Sequence, residues 1–341
     1  MPGKVPPDEL LAHVFDRTDS GADETILQGP AEGEDAAVID WPGGDLVVSS
    51  DPISLAASQV GTLGVYVACN DVAASGADPR WLTVVVLLPG SERETDGLRH
   101  SSDGDVATGE TLLETIMTDL EAAAADVGAT IVGGHSEYVD QIERPLISLT
   151  AMGATDSFVR TGGAEPGDAV ILTKAPGIEG TAILAADFGD TLDVDDAIRD
   201  RAEQFLAEIS VVPDARAVRE YATAMHDPTE GGVAAGLLEI ARASNVRLEI
   251  DREAVTVRPE TEALCAAAGV DPLCIFGSGA LLATVPQAAL GGCLDTLTEA
   301  GVEATAIGTV GSGEPELRLD STSITEPIED DLYPLWEAVD E

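Results

Sequence analysis

The stretch 33-GEDAAVIDWPGGDLVVSSDPIS-54 sets acids between short apolar runs. Asp35 precedes Ala-Ala-Val-Ile, Asp45 precedes Leu-Val-Val, and Asp51 closes that second run. Asp is disfavoured inside strands, so the spacing predicts strands near residues 36–40 and 45–50 with acids at their ends. Carboxylates at strand ends suit Mg2+, which takes one or two of them and completes its shell with water and substrate phosphate. An exposed acidic turn is the plain alternative for Asp35.

Charge limits how much weight any single acid can bear. Against 63 Asp and Glu stand 17 Lys and Arg, a formal charge of -46, and the only lysines are Lys4 and Lys174. Nucleic acid is excluded as a partner by that balance. The chain is 44% hydrophobic and rich in glycine, which argues against disorder. A salt-rich cytoplasm that screens the self-repulsion is the economical expectation. No apolar run approaches a membrane span, and "MPGKVPPDELL" has no secretion signature, so no membrane association is expected. The four cysteines show no CxxC spacing and read as reduced core residues. His135 and His226 alone among the histidines have informative neighbours, and spacing gives no support to a histidine metal site.

With 341 residues, two domains are expected. A leading helix is predicted near 7–16. In 61-GTLGVYVACNDVAASGADPRW-81, Val65, Cys69, Val72 and Ala73 share a helical face and Gly76 sits where a left-handed cap belongs. A strand at 81–88 follows, then a polar stretch at 90–109 expected to be an exposed loop dispensable to function. Next come a helix at 111–127, a strand at 144–153 and a first domain ending near Asp156. The second half alternates strands and helices: a strand at 169–173, helices at 178–187, 195–209 and 213–221, and a helix to Ala243. It continues with strands at 246–250, 278–285, 304–310 and 316–319 and helices at 259–268 and 288–300. Such alternation favours a layered α/β domain.

Four stretches combine polar groups with tight turns. The first supplies Asp35 and Asp51. The second, Asn70-Asp71, places an amide and a carboxylate among Ala, Val and Cys on a buried helix, which is costly unless they meet a cation or donors; an internal cap or an interface hydrogen bond is the alternative. In the third, "IVGGHSE", Gly133 and Gly134 allow a turn that approaches a phosphate, with His135, Ser136 and Glu137 in reach; a simple turn is the alternative. The fourth, "HDPTEGGVAAGLLEIA", opens a helix with Asp227, Thr229, Gly231 and Gly232, and its free amides would favour an anion; an ordinary N-cap would explain the same residues. Lys174 ends a strand at "LTKAPG", facing either phosphate or a salt-bridge partner.

Taken in order from "GEDAAV" through "SSDP", "VACNDVAASGADPRWL" and "IVGGHSE" to "HDPTEGGVAAGLLEIA", these stretches resemble the superfamily of aminoimidazole ribonucleotide (AIR) synthase, selenophosphate synthetase, thiamine-monophosphate kinase and the hydrogenase maturation factor HypE. "NDVAASGADPRWL" and "DPTEGG" look most like HypE and its archaeal AIR synthase-related kin. The resemblance implies an α+β, PurM-like fold. Its N-terminal domain (1–156) would complete a β-barrel by homodimerisation, its α/β C-terminal domain would span 157–341, and ATP would sit between them. It further implies that Asp35, Asp51 and Asp71 bind Mg2+ and triphosphate with Asn70 nearby. Gly133, Gly134 and Glu137 would line the nucleotide site, and Asp227 with Thr229, Gly231 and Gly232 would close it. His135, Asp227 and Lys174 are the catalytic candidates for activating or phosphorylating a small-molecule acceptor. A catalytically silent nucleotide-binding partner, or a kinase acting on thiamine monophosphate, are the alternatives. HypE ends in a Pro-Arg-Ile-Cys tail, whereas this sequence ends "LYPLWEAVDE", which sets it apart from the hydrogenase-cyanide role.

Overall fold

The computed structural model describes residues 9, 13, 14, 18, 23–31, 33–53, 59–90 and 111–340. The expected helix at 7–16 and the expected loop at 90–109 lie almost wholly outside the described residues.

The apolar runs around the opening acids become a hairpin, β2 (Ala37–Trp41) with β3 (Gly44–Ile53), joined at its outer edge by the short β1 (Ile26–Gln28). With β4 (Asp78–Pro89), β5 (Thr130–Val139) and β6 (Leu146–Thr155) they make a six-stranded sheet in the order β1-β2-β3-β6-β4-β5. Every pairing is antiparallel except β4 with β5. Among the described residues no strand lies beyond β5, so the sheet ends there with an open edge.

Two helices cover the sheet. In α1 (Val60–Ala74) nearly every residue is buried, so it is an interior helix rather than an amphipathic one. It packs on β3 and β6, and Gly64 permits the approach: a Cβ there would press on the side chains of Ile147 and Leu149. Helix α2 (Leu112–Val127) is framed by local chemistry. The Thr111 hydroxyl accepts the Glu114 amide, the Glu114 carboxylate accepts the Thr111 amide, and Gly128 ends the helix at φ 80°.

The second half holds β7 (Asp168–Thr173), α3 (Ile178–Ile183), α4 (Asp196–Glu203), α5 (Val212–Val218), β8 (Ala224–His226) and α6 (Gly232–Ser244). After these come β9 (Arg247–Ile250), α7 (Pro259–Ala268), β10 (Leu282–Pro286), α8 (Leu290–Glu299), β11 (Ala304–Gly311), β12 (Glu316–Leu319), β13 (Thr322–Ile324) and α9 (Tyr333–Asp340). The sheet order is β13-β12-β9-β11-β7-β10-β8, and only β12 with β9 runs parallel. The predicted alternation is present, yet neighbouring strands run mostly antiparallel. Sequence reading missed β8, β13 and α9, which are short or end the chain. The expected strand at 278–285 begins only at Leu282, because Gly279 turns the chain at φ 104°.

One apolar cluster joins the halves. Val65, Cys69 and Val72 of α1 share a core with Ile209, Val211, Val212 and Val218, so α1 is the seam between the sheets. Among the described residues no helix is long and apolar enough to cross a membrane.

Candidate active site

Period-two geometry puts Ser49 and Asp51 on one face of β3, and α1 brings Asp71 against them. The Ser49 hydroxyl lies 2.5 Å from Asp71 Oδ2, 3.1 Å from Asp51 Oδ2 and 3.1 Å from the Asp35 carbonyl. A hydroxyl has one proton to donate, so one serine stands among more acceptors than it can satisfy. From the other half, β8 ends at His226 and delivers His226 and Asp227, both buried, to the same place. His226 Nδ1 is 3.5 Å from Asp35 Oδ2, and His226 Nε2 is 2.7 Å from Glu239 Oε2 on α6. One ligand atom each from Asp35, His226 and Asp227 lie within 4.8 Å of one another.

Electrostatics follow from that crowding. Burial first, then the charges of Asp227, Asp51 and Asp35, push the Asp71 carboxyl well above the usual carboxylate range. Burial and then Asp35 push Asp227 up to about 7, with His226 opposing. Burial works against charge on His226, but the Glu239 hydrogen bond and charge, with Asp35 and Asp227, outweigh it and raise the imidazole to about 9. Four carboxylates converging on a partly desolvated point are unfavourable alone and well suited to a divalent cation.

Sequence profiles of the AIR synthase related protein match residues 33–155 with its N-terminal domain and residues 165–320 with its C-terminal domain. The chain is 31% identical over 262 residues to carbamoyl dehydratase HypE of Rhizobium leguminosarum bv. viciae, covering 74% of this chain and 69% of that protein. This chain belongs to the AIR synthase related family. Within that family it is HypE-like. The structure of hydrogenase maturation protein HypE in complex with ATP is similar at 26% identity and TM-score 0.61, covering 93% of this chain and 91% of that one. AaThiL complexed with AMPPCP and TMP shares the fold at 21% identity and TM-score 0.71, covering 96% and 99%. The α+β, PurM-like architecture implied by the ordered motifs is the one observed.

On this AIR synthase related fold, several residues expected at the site are engaged elsewhere. Asn70 is buried, donates to the Ile209 carbonyl at 2.9 Å and accepts from the Val211 amide at 2.8 Å, so its amide ties α1 to the second half. Lys174 adopts φ 52° and donates to the carbonyls of Ser210 and Gly279, each at 2.8 Å, beside Asp214 at 3.1 Å. It is a clamp on the 208–214 segment rather than a free cation facing phosphate.

The expected turn at "IVGGHSE" is instead continuous strand β5. Gly134 is required there by strand pairing, since a Cβ would run into the Val84 carbonyl. Gly133, His135 and Glu137 sit on the edge strand, three strand spacings or about 14 Å along the sheet from β3. His135 and Glu137 are exposed and 3.3 Å apart.

The amides expected to stand free at the start of α6 are also taken. Gly231 donates to Asp330 Oδ2 at 2.9 Å and Gly232 to the Thr229 carbonyl at 3.1 Å. Both glycines have positive φ, and a Cβ on either would strike the backbone of Ile328 or of 273–275. These glycines let the chain pack on itself.

Ser49, His226 and Glu239 were not among the expected site residues. Ser49 had a signal, two residues before Asp51 on a strand. Spacing gave no support to a histidine metal site, and it could not: His226 and Asp35 are 191 positions apart, and only folding brings them together. Burial raises the Cys69, Cys265 and Cys274 thiols to about 12 and Cys293 to about 11, in keeping with reduced residues of the interior.

Proposed function

We propose that this chain is a Mg2+- and ATP-dependent, HypE-like enzyme that activates or phosphorylates the oxygen of a small-molecule acceptor. The observation that carries the reading is the convergence of Asp35, Asp51, Asp71 and Asp227 from both halves of the chain. Carboxylate oxygens of this kind fit Mg2+. Asp35, Asp51 and Asp71 would hold the cation, with Asp227 closing the site from the second half. Bound Mg2+ would neutralise charge on the transferred phosphoryl group. The chain's own contribution is to orient: Ser49 spaces two carboxylates, and burial of Asp71 and Asp227 keeps water from that side.

Likeness to a carbamoyl dehydratase and to an ATP complex of HypE supports ATP-dependent activation of an amide or carbonyl oxygen as the reaction class. A homodimer is part of the proposal. Edge strand β5 is open, and Trp81, Val85, Val132 and Tyr138 on β4 and β5 are exposed. Pairing there would bring the Gly133 to Glu137 segment of one protomer towards a nucleotide.

Calorimetry with the full chain in concentrated KCl tests the proposal. Mg·ATP is expected to bind, and Asp51→Asn and Asp71→Asn to weaken it at least about tenfold. Absence of binding by the wild-type chain overturns it.

A further inference from the structure

We propose that His226 is a direct ligand, through Nδ1, of the divalent cation held with Asp35 and Asp227, a nitrogen donor that lets the site accept Mn2+ as well as Mg2+. The inference rests on the proposed reading of the acid cluster as a cation site and adds a nitrogen donor to it.

Geometry carries the argument. Two donors about 2.1 Å from one ion stand about 3.0 Å apart at right angles and about 4.2 Å apart when opposite. The 3.5 Å between His226 Nδ1 and Asp35 Oδ2, within a set whose atoms all lie inside 4.8 Å, matches one shared ion after small side-chain shifts. The two ring nitrogens are not equivalent. Nε2 lies 2.7 Å from the Glu239 carboxylate, a full charge-assisted hydrogen bond, whereas 3.5 Å from Nδ1 to Asp35 is too long for one. A carboxylate on the far nitrogen holds the proton at Nε2, so that Nδ1 donates its lone pair once a cation takes the place of its own proton, the arrangement that accompanies metal-bound histidine.

The ring is also held in place by packing. A Cβ on Gly236 of α6 would lie 3.1 Å from His226 Cδ2, so glycine at that position makes room for the imidazole one helical turn before Glu239. His226 is buried while Asp35 is partly exposed, which gives an ion a way in from the Asp35 side. Carboxylates alone suit Mg2+; an imidazole added to them favours first-row transition ions.

The test uses this chain free of nucleotide in concentrated KCl with one equivalent of Mn2+. Pulsed electron paramagnetic resonance is expected to show one directly bonded 14N coupling in the wild type, and His226→Gln to abolish it. Glu239→Gln, which replaces the carboxylate on Nε2 and leaves Nδ1 in place, is expected to keep the coupling while lowering Mn2+ affinity about tenfold. His226→Gln is expected to lower Mn2+ affinity about 10- to 100-fold and Mg2+ affinity by less than about threefold. Bound Mn2+ without nitrogen coupling in the wild type overturns the ligand assignment and leaves the acid-cluster reading intact. Failure of both Mn2+ and Mg2+ to bind overturns the two together. The wild-type spectrum decides even if His226→Gln does not fold.

Discussion

Ser49 Oγ and Asp71 Oδ2 stand 2.5 Å apart where β3 meets α1, and that contact joins a buried acid to a strand already carrying Asp51. Burial first, then the charges of three other carboxylates, make ionising Asp71 unfavourable in the cation-free protein, whether the group holds a proton or carries the charge. Asp71→Asn keeps the shape and removes the repulsion. It is expected to raise stability without cation by on the order of 1–2 kcal/mol while weakening Mg·ATP binding. Denaturant midpoints with and without Mg2+ measure both effects; a lower midpoint in cation-free buffer would show that repulsion is not what Asp71 feels.

Asp330 supplies a pH dependence away from the cluster. It is buried, accepts from Gly231 at 2.9 Å and Leu332 at 3.0 Å, and is pushed up to about 7 by burial despite those bonds. A raised carboxyl pKa means the folded state keeps a proton that the unfolded chain gives up near 4. The resulting stability is full below about 4 and lost as pH rises through about 7. Asp330→Asn should flatten this decline relative to wild type when urea midpoints are compared between pH 5 and 8 in matched salt. Parallel curves would show that Asp330 ionises normally.

Lys174 and Asp214 form a pair whose side chains are 15% and 1% exposed. Burial lowers the lysine and Asp214 opposes it, so the charges depend on each other. Removing one partner from a buried pair costs about 3–5 kcal/mol, while replacing both with apolar groups is often close to neutral. Lys174→Met is expected to lose that much by chemical denaturation, and Lys174→Met with Asp214→Leu to recover most of it. If the single variant keeps wild-type stability, Lys174 is not the clamp its contacts describe.

Much of this fold was legible because it is local. The hairpin around Asp35 and Asp51 shows in short runs bounded by turn residues, and α2 carries its own start and stop in Thr111, Glu114 and Gly128. Asp71 stood out as an acid in an apolar helix. What stayed hidden was long-range. Asn70 read as a site residue because a buried amide demands partners, and sequence does not say that Ile209 and Val211 provide them. Gly133-Gly134 read as a turn because sequence does not say that Gly134 is needed for close approach to the Val84 carbonyl of a neighbouring strand. His226 gained meaning only when β8 was laid beside Asp35.

The charge of -46 makes the remaining prediction one about the whole surface. Like charges repel over a Debye length of about 10 Å at 0.1 M salt and about 3 Å at 1 M, and folding crowds the acids that an unfolded chain keeps apart. Stability should therefore rise steeply with KCl, by roughly 10 °C or more in melting temperature between 0.1 and 2 M. Screening can be separated from a general salt effect by neutralising exposed acids away from the site. A variant carrying Gln at Glu121 and Glu203 and Asn at Asp193, Asp200 and Asp295, all exposed, should melt higher than wild type in low salt and gain less from added KCl. Equal salt slopes for the two proteins would mean that repulsion between surface acids is not what salt relieves.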